Sequence, residues 1–464
     1  MGKLRIAIIG AGPCGLAQLL AFKQAEQEQQ VELVCFERQS DWGGLWLYTS
    51  KIGIDVNGEP VHSSMYRHLW SNNPKELFEY PDYTFYNHFG CYLPSHLPRV
   101  LIYDYFIGRA KKNNLRQFIR FNTAVRHVDF NDDKKEFSIE IEDLNTNSFE
   151  CLTFDRVIVA NGHYQMPNMI DIDGLDQFSG RVIHSHEFRG ADEFKNQNLL
   201  IIGSSFSADD IAVQCYKFGA KSITVSCRQK PIGYKWPSEI KDAAMITRID
   251  GQTAHFNDGA SVDNIDAIII CTGYRHSYPF MSRRLCLQAD VTEFVPANLY
   301  KSIFWIDQPF VAYLGTPRQI FSFPMFDGQA ALVRDVFLGH IKLPDKNEMK
   351  IDVDKWRTRE KSMSPTDFFA MIDLQTDYMN DIIDLLHTYK NNQSLLTFDF
   401  NKGSEMTKRF LTNKVNDILH YRDASYESIV DTKHSKTIDI CKPWIENMDD
   451  SMENLLNDYR KTLE

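Results

Sequence analysis

Twice in this chain a short apolar run breaks into small residues and then resumes at helical spacing. The first instance is Leu4-Arg-Ile-Ala-Ile-Ile9, then Gly10-Ala-Gly12-Pro-Cys14-Gly15, then Leu16, Leu19, Leu20 and Phe22. The second is Leu199-Leu-Ile-Ile202, then Gly203-Ser204-Ser205-Phe-Ser207-Ala208. Further β-branched runs follow each, at Val31–Phe36 and Ser222–Ser226. Strand, glycine turn, helix and strand make a βαβ unit, and the helix carries the chain back so that the two strands pair in parallel. Two such units in 464 residues, a length at which single cores usually split, predict an α/β chain with two sheets.

The first turn has the spacing GxGxxG, and Glu37 ends the next strand about 22 residues past Gly15. Gly10, Gly12 and Gly15 allow a tight turn and a close approach of backbone to a pyrophosphate, whose charge the helix N-terminus favours. Glu37 can accept hydrogen bonds from ribose hydroxyls. The fold class expected is therefore α/β, with two Rossmann-like dinucleotide-binding domains plus a helical C-terminal region. The stretch Asp41-Trp-Gly43-Gly44-Leu45-Trp46 resembles the flavoprotein pattern in which the chain runs along FAD. FAD is assigned to the first site, with Cys14, Gly44, Leu45 and Trp46 among its contacts.

The second turn replaces glycines by Ser205 and Ala208, still small, and the hydroxyls of Ser204, Ser205 and Ser207 can donate to phosphate. Arg228 follows the next strand where Glu37 followed its counterpart. A carboxylate there would repel a 2′-phosphate, whereas a guanidinium binds it bidentately. NADPH is the expected ligand, with Gln229 beside Arg228. The second domain is read as residues 169–278, inserted into an FAD domain made of 1–168 and 279–464.

A net charge of −11 with no run of Lys and Arg argues against nucleic acid, and no apolar stretch approaches the roughly 20 residues that span a bilayer. A soluble, cytoplasmic chain is expected. Its nine cysteines are never spaced CxxC, which speaks against a disulfide scaffold, a zinc ribbon or a dithiol reductase, and no metal is expected. Near the C-terminus, Ser364, Pro365 at the first helical position and Asp367 in the first turn predict a helix start. The stripe Phe368, Met371, Ile372, Met379, Ile382, Ile383 and Leu386 reads as core or subunit interface, and a homodimer is expected.

Between the two turns, Phe178, Gly180, His184 and Phe188 match FxGxxxHxxx(Y/F). With GAGPCG, FERQSDWGGLW, PVHSSMYRHLWSN, GSSFSADD, GYKWP, CTGY and YRDASY, the chain resembles the class B flavin-containing monooxygenases, and within them the bacterial trimethylamine monooxygenase branch. The resemblance implies that NADPH reduces FAD and that the reduced flavin takes up O2 as a C4a-hydroperoxide. That species oxygenates a soft nucleophile, giving an amine N-oxide such as trimethylamine N-oxide, or an S-oxide from a sulfide. It also implies that Asn72 stands beside the flavin and the nicotinamide, that Gln39, His62 and Gln319 contact FAD, and that Trp70 and Arg422 contact NADP. His163 and His184 are expected to be structural.

Some positions depart from that branch. Phe206 stands where Tyr is usual and Ile320 where Trp is expected; Gln229 replaces a hydroxyl or basic residue, and Asn161 interrupts an Ala-Thr-Gly exit. Baeyer–Villiger monooxygenases are the nearest alternative, but their signature continues into Trp, whereas Phe188-Arg189 follows here. A non-enzymatic NADPH-sensing flavoprotein would dispense with Asn72 and the flavin-side GGLW.

Overall fold

Leu4–Ile9 lies inside a seven-stranded sheet ordered Leu299–Tyr300, Phe304–Trp305, Val311–Tyr313, Arg156–Val159, Leu4–Ile9, Val31–Phe36 and Ile119–Arg120. The last five pair in parallel. In the computed structural model the described residues are 2–25, 31–228, 231–289, 293–364, 367–388, 397–431, 433–434 and 436–460.

The continuous apolar run at Leu4–Ile9 is explained by two separate cores, one on each face. Ile6 and Ile8 join Leu16, Leu19 and Phe22 of the helix Pro13–Ala25. Ala7 and Ile9 point the other way, to Phe137 and Ile139. Those belong to an antiparallel meander, Thr123–Asn131, Glu136–Asp143 and Ser148–Phe154, that covers the far face. A parallel strand buried on both faces cannot alternate with polar residues. The helix Ser322–Phe337 packs on Pro13–Ala25, where Gln18 donates to the Ala330 carbonyl at 3.2 Å.

The second sheet runs Ile240–Ala243, Ser222–Ser226, Asn198–Ile202, Ala267–Ile270 and Arg181–His184, parallel throughout. Its central strand repeats the division: Leu199 and Ile201 face the helix Phe206–Lys217, whereas Leu200 and Ile202 face Ile246 and Ile249. The fold is thus two Rossmann-type units with a helical C-terminal region. The chain crosses between them at Met166–Pro167 and returns at Tyr274–Arg275, and these two segments pair as a short antiparallel ribbon. Asn168 strengthens it, donating its N–H to the Gly273 carbonyl at 2.9 Å and accepting from Arg275 Nε at 2.8 Å.

The C-terminal helices are Lys346–Ser362, Phe368–His387, Phe400–Asn416 and Met452–Arg460. The expected start at Ser364 is corrected. The Asp367 carboxylate accepts from the Ala370 N–H at 2.9 Å and caps a helix that begins at Phe368; Pro365 lies outside the described residues. Ile372, Met379, Ile382 and Leu386 of its stripe are core, as expected.

Candidate functional site

The glycines of the first turn serve separate steric purposes. Gly10 has φ +104°, and a Cβ there would come within 2.6 Å of the Ala160 carbonyl oxygen. On Gly15 it would come within 1.9 Å of the Gly10 oxygen, so only glycine lets the helix start this close to the strand. Gly12 and Gly44 face each other, a Cβ on Gly44 meeting the Gly12 Cα at 3.0 Å. Glu37 is buried, and its carboxylate accepts from the N–H groups of Ala11 at 2.7 Å and Gln39 at 2.9 Å. Burial nevertheless raises its pKa. Each oxygen keeps a lone pair for a further donor. Gln39 Nε2 donates to the Gly44 carbonyl at 3.2 Å and Ser63 Oγ to the Leu45 carbonyl at 2.8 Å, which pins the second glycine pair. Burial pushes the Cys14 thiol well up, so it acts as a small apolar group. His62 Nδ1 donates to Gln165 Oε1 at 3.2 Å and the ring is held neutral, its pKa lowered to about 4 by burial and by Arg38.

The second turn repeats this design. Gly203 has φ +127°, and a Cβ would meet the Cys271 carbonyl oxygen at 2.3 Å. Ser205 is the cap residue of Phe206–Lys217, yet its side chain makes no capping bond. Arg228 is exposed at the rim, and Gln229 lies outside the described residues.

One cavity of about 2500 Å³ joins both turns. Sites for single small ligands are usually about 300–1,000 Å³. Of the residues expected from sequence, all those described line this cavity except Gly15, Trp70 and Arg422. Gly15 is the steric hinge behind the turn. Trp70 is buried behind the wall, its backbone bridged to Pro98. Arg422 is buried too, and its guanidinium is committed to protein: Nε donates to the Ser71 carbonyl at 3.5 Å, and Nη2 to Asp210 and, at 3.4 Å, to Asn72 Oδ1. Tyr66 also donates to Asp210. Next to it, Lys414 pairs with Asp209 at 2.9 Å, and Tyr234 donates to the same carboxylate at 2.8 Å. The two acids of Ser207-Ala-Asp-Asp210 therefore face away from the cavity into buried cations. Sequence reading passed over them, although two adjacent acids near the start of a helix are themselves a signal that distant cations neutralise them.

The Phe178–Phe188 signature forms the seam between the units. A Cβ on Gly180 would meet the Asp266 carbonyl oxygen at 2.3 Å. His184 accepts from the His186 N–H at 3.0 Å and is held neutral, burial lowering its pKa to about 4. Phe188 sets its ring edge-on to Tyr66 at 5.0 Å and stacks on Phe194 at 5.8 Å. The next residue was not singled out from sequence. Arg189 is 9% exposed and donates to the carbonyls of His186 at 2.7 Å, Phe188 at 3.1 Å, Lys51 at 3.0 Å and Ser63 at 2.9 Å, joining the signature to the first unit. The top of the C-terminal stripe was read as core or subunit interface, yet Phe368, Met371 and Ile372 also line the cavity.

Two glycine cradles that any Cβ would fill, each under a buried or rim residue suited to a ribose or phosphate, fit a pair of dinucleotides. The chain matches the model of the flavin-binding monooxygenase-like family over residues 3–232 and 238–413, and it belongs to that family, whose cofactor is a flavin. It is similar to the trimethylamine monooxygenase of Methylocella silvestris, 47% identical over 455 residues that cover 98% of both chains. The crystal structure of Tmm from Pelagibacter sp. strain HTCC7211 superposes with a TM-score of 0.91 at 40% identity, covering 97% of this chain and 100% of that one. S-allyl-L-cysteine S-oxygenase from Allium sativum follows at a TM-score of 0.76 and 25% identity, covering 99% and 98%.

Proposed function

We propose that the chain is an NADPH- and O2-dependent monooxygenase that converts a small tertiary amine, trimethylamine first, to its N-oxide. In balance, the amine, O2, NADPH and a proton give the N-oxide, water and NADP+. Residues 1–168 with 279–464 hold FAD, and residues 169–278 hold NADPH. The observation that supports this most is the single cavity running from Gly10–Gly12 past Asn72 to Gly203–Ser207 and Arg228. A cavity of that length has room for two dinucleotides end to end, with one carboxamide on its wall between the two turns.

FAD, when bound, supplies the redox chemistry that activates O2. The protein's own groups bind, orient and keep the site dry. Glu37 takes the ribose of FAD and the N–H groups of the first turn its pyrophosphate. Arg228 takes the 2′-phosphate of NADPH. Asn72 offers its NH2 to the reacting edge, because its oxygen is held by Arg422. Ile320, Phe323 and Phe326 line the same cavity and exclude water that would divert oxygen to hydrogen peroxide. His163 and His184 are buried, and burial lowers both pKa values, which favours structural roles over proton transfer. An amine must arrive with its lone pair free, and Ile320 offers no aromatic face to an ammonium. Sulfides have the same soft lone pair and are oxygenated by the same step.

The test is NADPH oxidation by the purified, FAD-loaded protein, with and without trimethylamine, with the N-oxide measured by NMR. Stimulated NADPH use with one N-oxide formed per NADPH supports the reading. Unstimulated NADPH use with no N-oxide overturns it.

A further inference from the structure

Three cations surround the start of the helix Phe206–Lys217, and two of them are already neutralised. Lys414 is matched by Asp209 and Arg422 by Asp210, each pair buried. The third, Arg318, has no carboxylate partner among the described residues. It follows the strand Val311–Tyr313 of the first sheet, is half-buried, and lines the large cavity. Its Nη2 donates to Ser205 Oγ at 2.9 Å, and its guanidinium lies 5.4 Å from the Phe206 ring centroid. The bond runs from the first unit to the cap residue of the second unit's helix. Only one of its five N–H donors is used in this contact.

A guanidinium without a counter-ion, held at a helix start whose cap side chain makes no capping bond, carries an unspent charge into the cavity. Ser205 and the Phe206 ring fix its plane, so its remaining N–H groups are preorganised for two oxygens on one anion. We propose that Arg318 is a ligand of the pyrophosphate of NADPH, reaching across from the FAD unit to close the second cradle. This rests on the NADPH reading above. It divides the labour between two arginines: Arg318 reads what NADPH and NADH share, and Arg228 reads the 2′-phosphate that only NADPH has.

The test measures binding of NADP+ and NAD+ to the FAD-loaded protein by titration calorimetry, with KM for NADPH and NADH. Arg318→Ala is expected to weaken NADP+ and NAD+ by the same factor, about tenfold or more, with FAD content and Tm unchanged. Arg318→Lys keeps the charge without the fork; it is expected to fall between Ala and the parent, and it carries the test if the alanine variant does not fold. Arg228→Ala is expected to weaken NADP+ alone. The proposal is overturned if both Arg318 variants bind NADP+ within about twofold of the parent. It is equally overturned if they raise only KM for the substrate, which would turn the guanidinium toward a substrate anion. A parent protein that binds neither nucleotide would instead remove the NADPH reading itself, and the proposal with it.

Discussion

Arg422 Nη2 lies 3.4 Å from Asn72 Oδ1, and this contact decides which way the Asn72 carboxamide faces. A guanidinium has only donors, so the atom turned to it must be the oxygen, and the NH2 is left for the cavity. Arg422 is held in turn by Asp210, at the start of the second unit's helix. The orientation of one amide beside the first cradle is thus tied to the second.

Replacing Asn72 by Ala removes the donor and leaves Arg422 short of one acceptor. The expected result is more hydrogen peroxide and less N-oxide per NADPH, with product yield down about tenfold, equivalent to ~1.4 kcal/mol, at unchanged FAD content. Arg422→Lys should shift the same ratio in the same direction while Asn72 is still present. Peroxide and N-oxide measured in one reaction check both, and an unchanged ratio in Asn72→Ala would remove the residue from the oxygen step.

Gly15→Ala forces a methyl to within 1.9 Å of the Gly10 carbonyl oxygen, and backbone cannot yield as a side chain does. The expected cost is about 3 kcal/mol with loss of bound FAD. Gly58→Ala is the control: it has a positive φ, at +78°, but nothing within 4 Å, and should keep FAD while losing about 1 kcal/mol. Urea unfolding and the flavin absorbance of the purified variants measure the two effects.

Arg228→Ala should raise KM for NADPH by about tenfold or more, the worth of a charge-assisted pair, and leave KM for NADH unchanged. Steady-state kinetics with both nucleotides measure it. A parallel rise for both would place Arg228 on some other part of the nucleotide.

Burial holds His163 at a pKa of about 3 and His184 at about 4, against an ordinary 6.5. Their folded pKa values are depressed, so each stays neutral in the fold while the unfolded chain takes up a proton below 6.5. Each therefore contributes stability that is present above pH 6.5 and is lost as pH falls towards 4 and then 3, at up to about 1.4 kcal/mol per pH unit per histidine. Urea midpoints should drop between pH 7 and pH 5. The pH dependence of kcat/KM between 6.5 and 8 should be the same in His184→Asn as in the parent. A limb that vanishes in the variant would make His184 a proton carrier after all.

The cradles were legible because glycine is read from local geometry. Gly10, Gly15 and Gly203 sit where strand, turn and helix follow one another within a few residues. The sheet strands were legible for the same reason, as at Ser222–Ser226 and Ala267–Ile270. The meander over Thr123–Phe154 was not, because one of its faces is solvated and its charges obscure the alternation. Arg422 was given as a nucleotide contact by the family resemblance alone; its bond to Asp210, 212 residues away, is made only in the folded chain. Arg318 was not singled out for a similar reason, being 113 residues from Ser205.

At the ribbon of Met166–Pro167 against Tyr274–Arg275 the chain leaves the first unit and returns to it side by side, so the second unit's two chain crossings meet at one place. Elsewhere the two units are tied by Arg189 to the carbonyls of Lys51 and Ser63, and by Arg422 to Asp210. Loss of any one of those side-chain ties would leave both chain crossings at the same place, with the two glycine turns still joined through it.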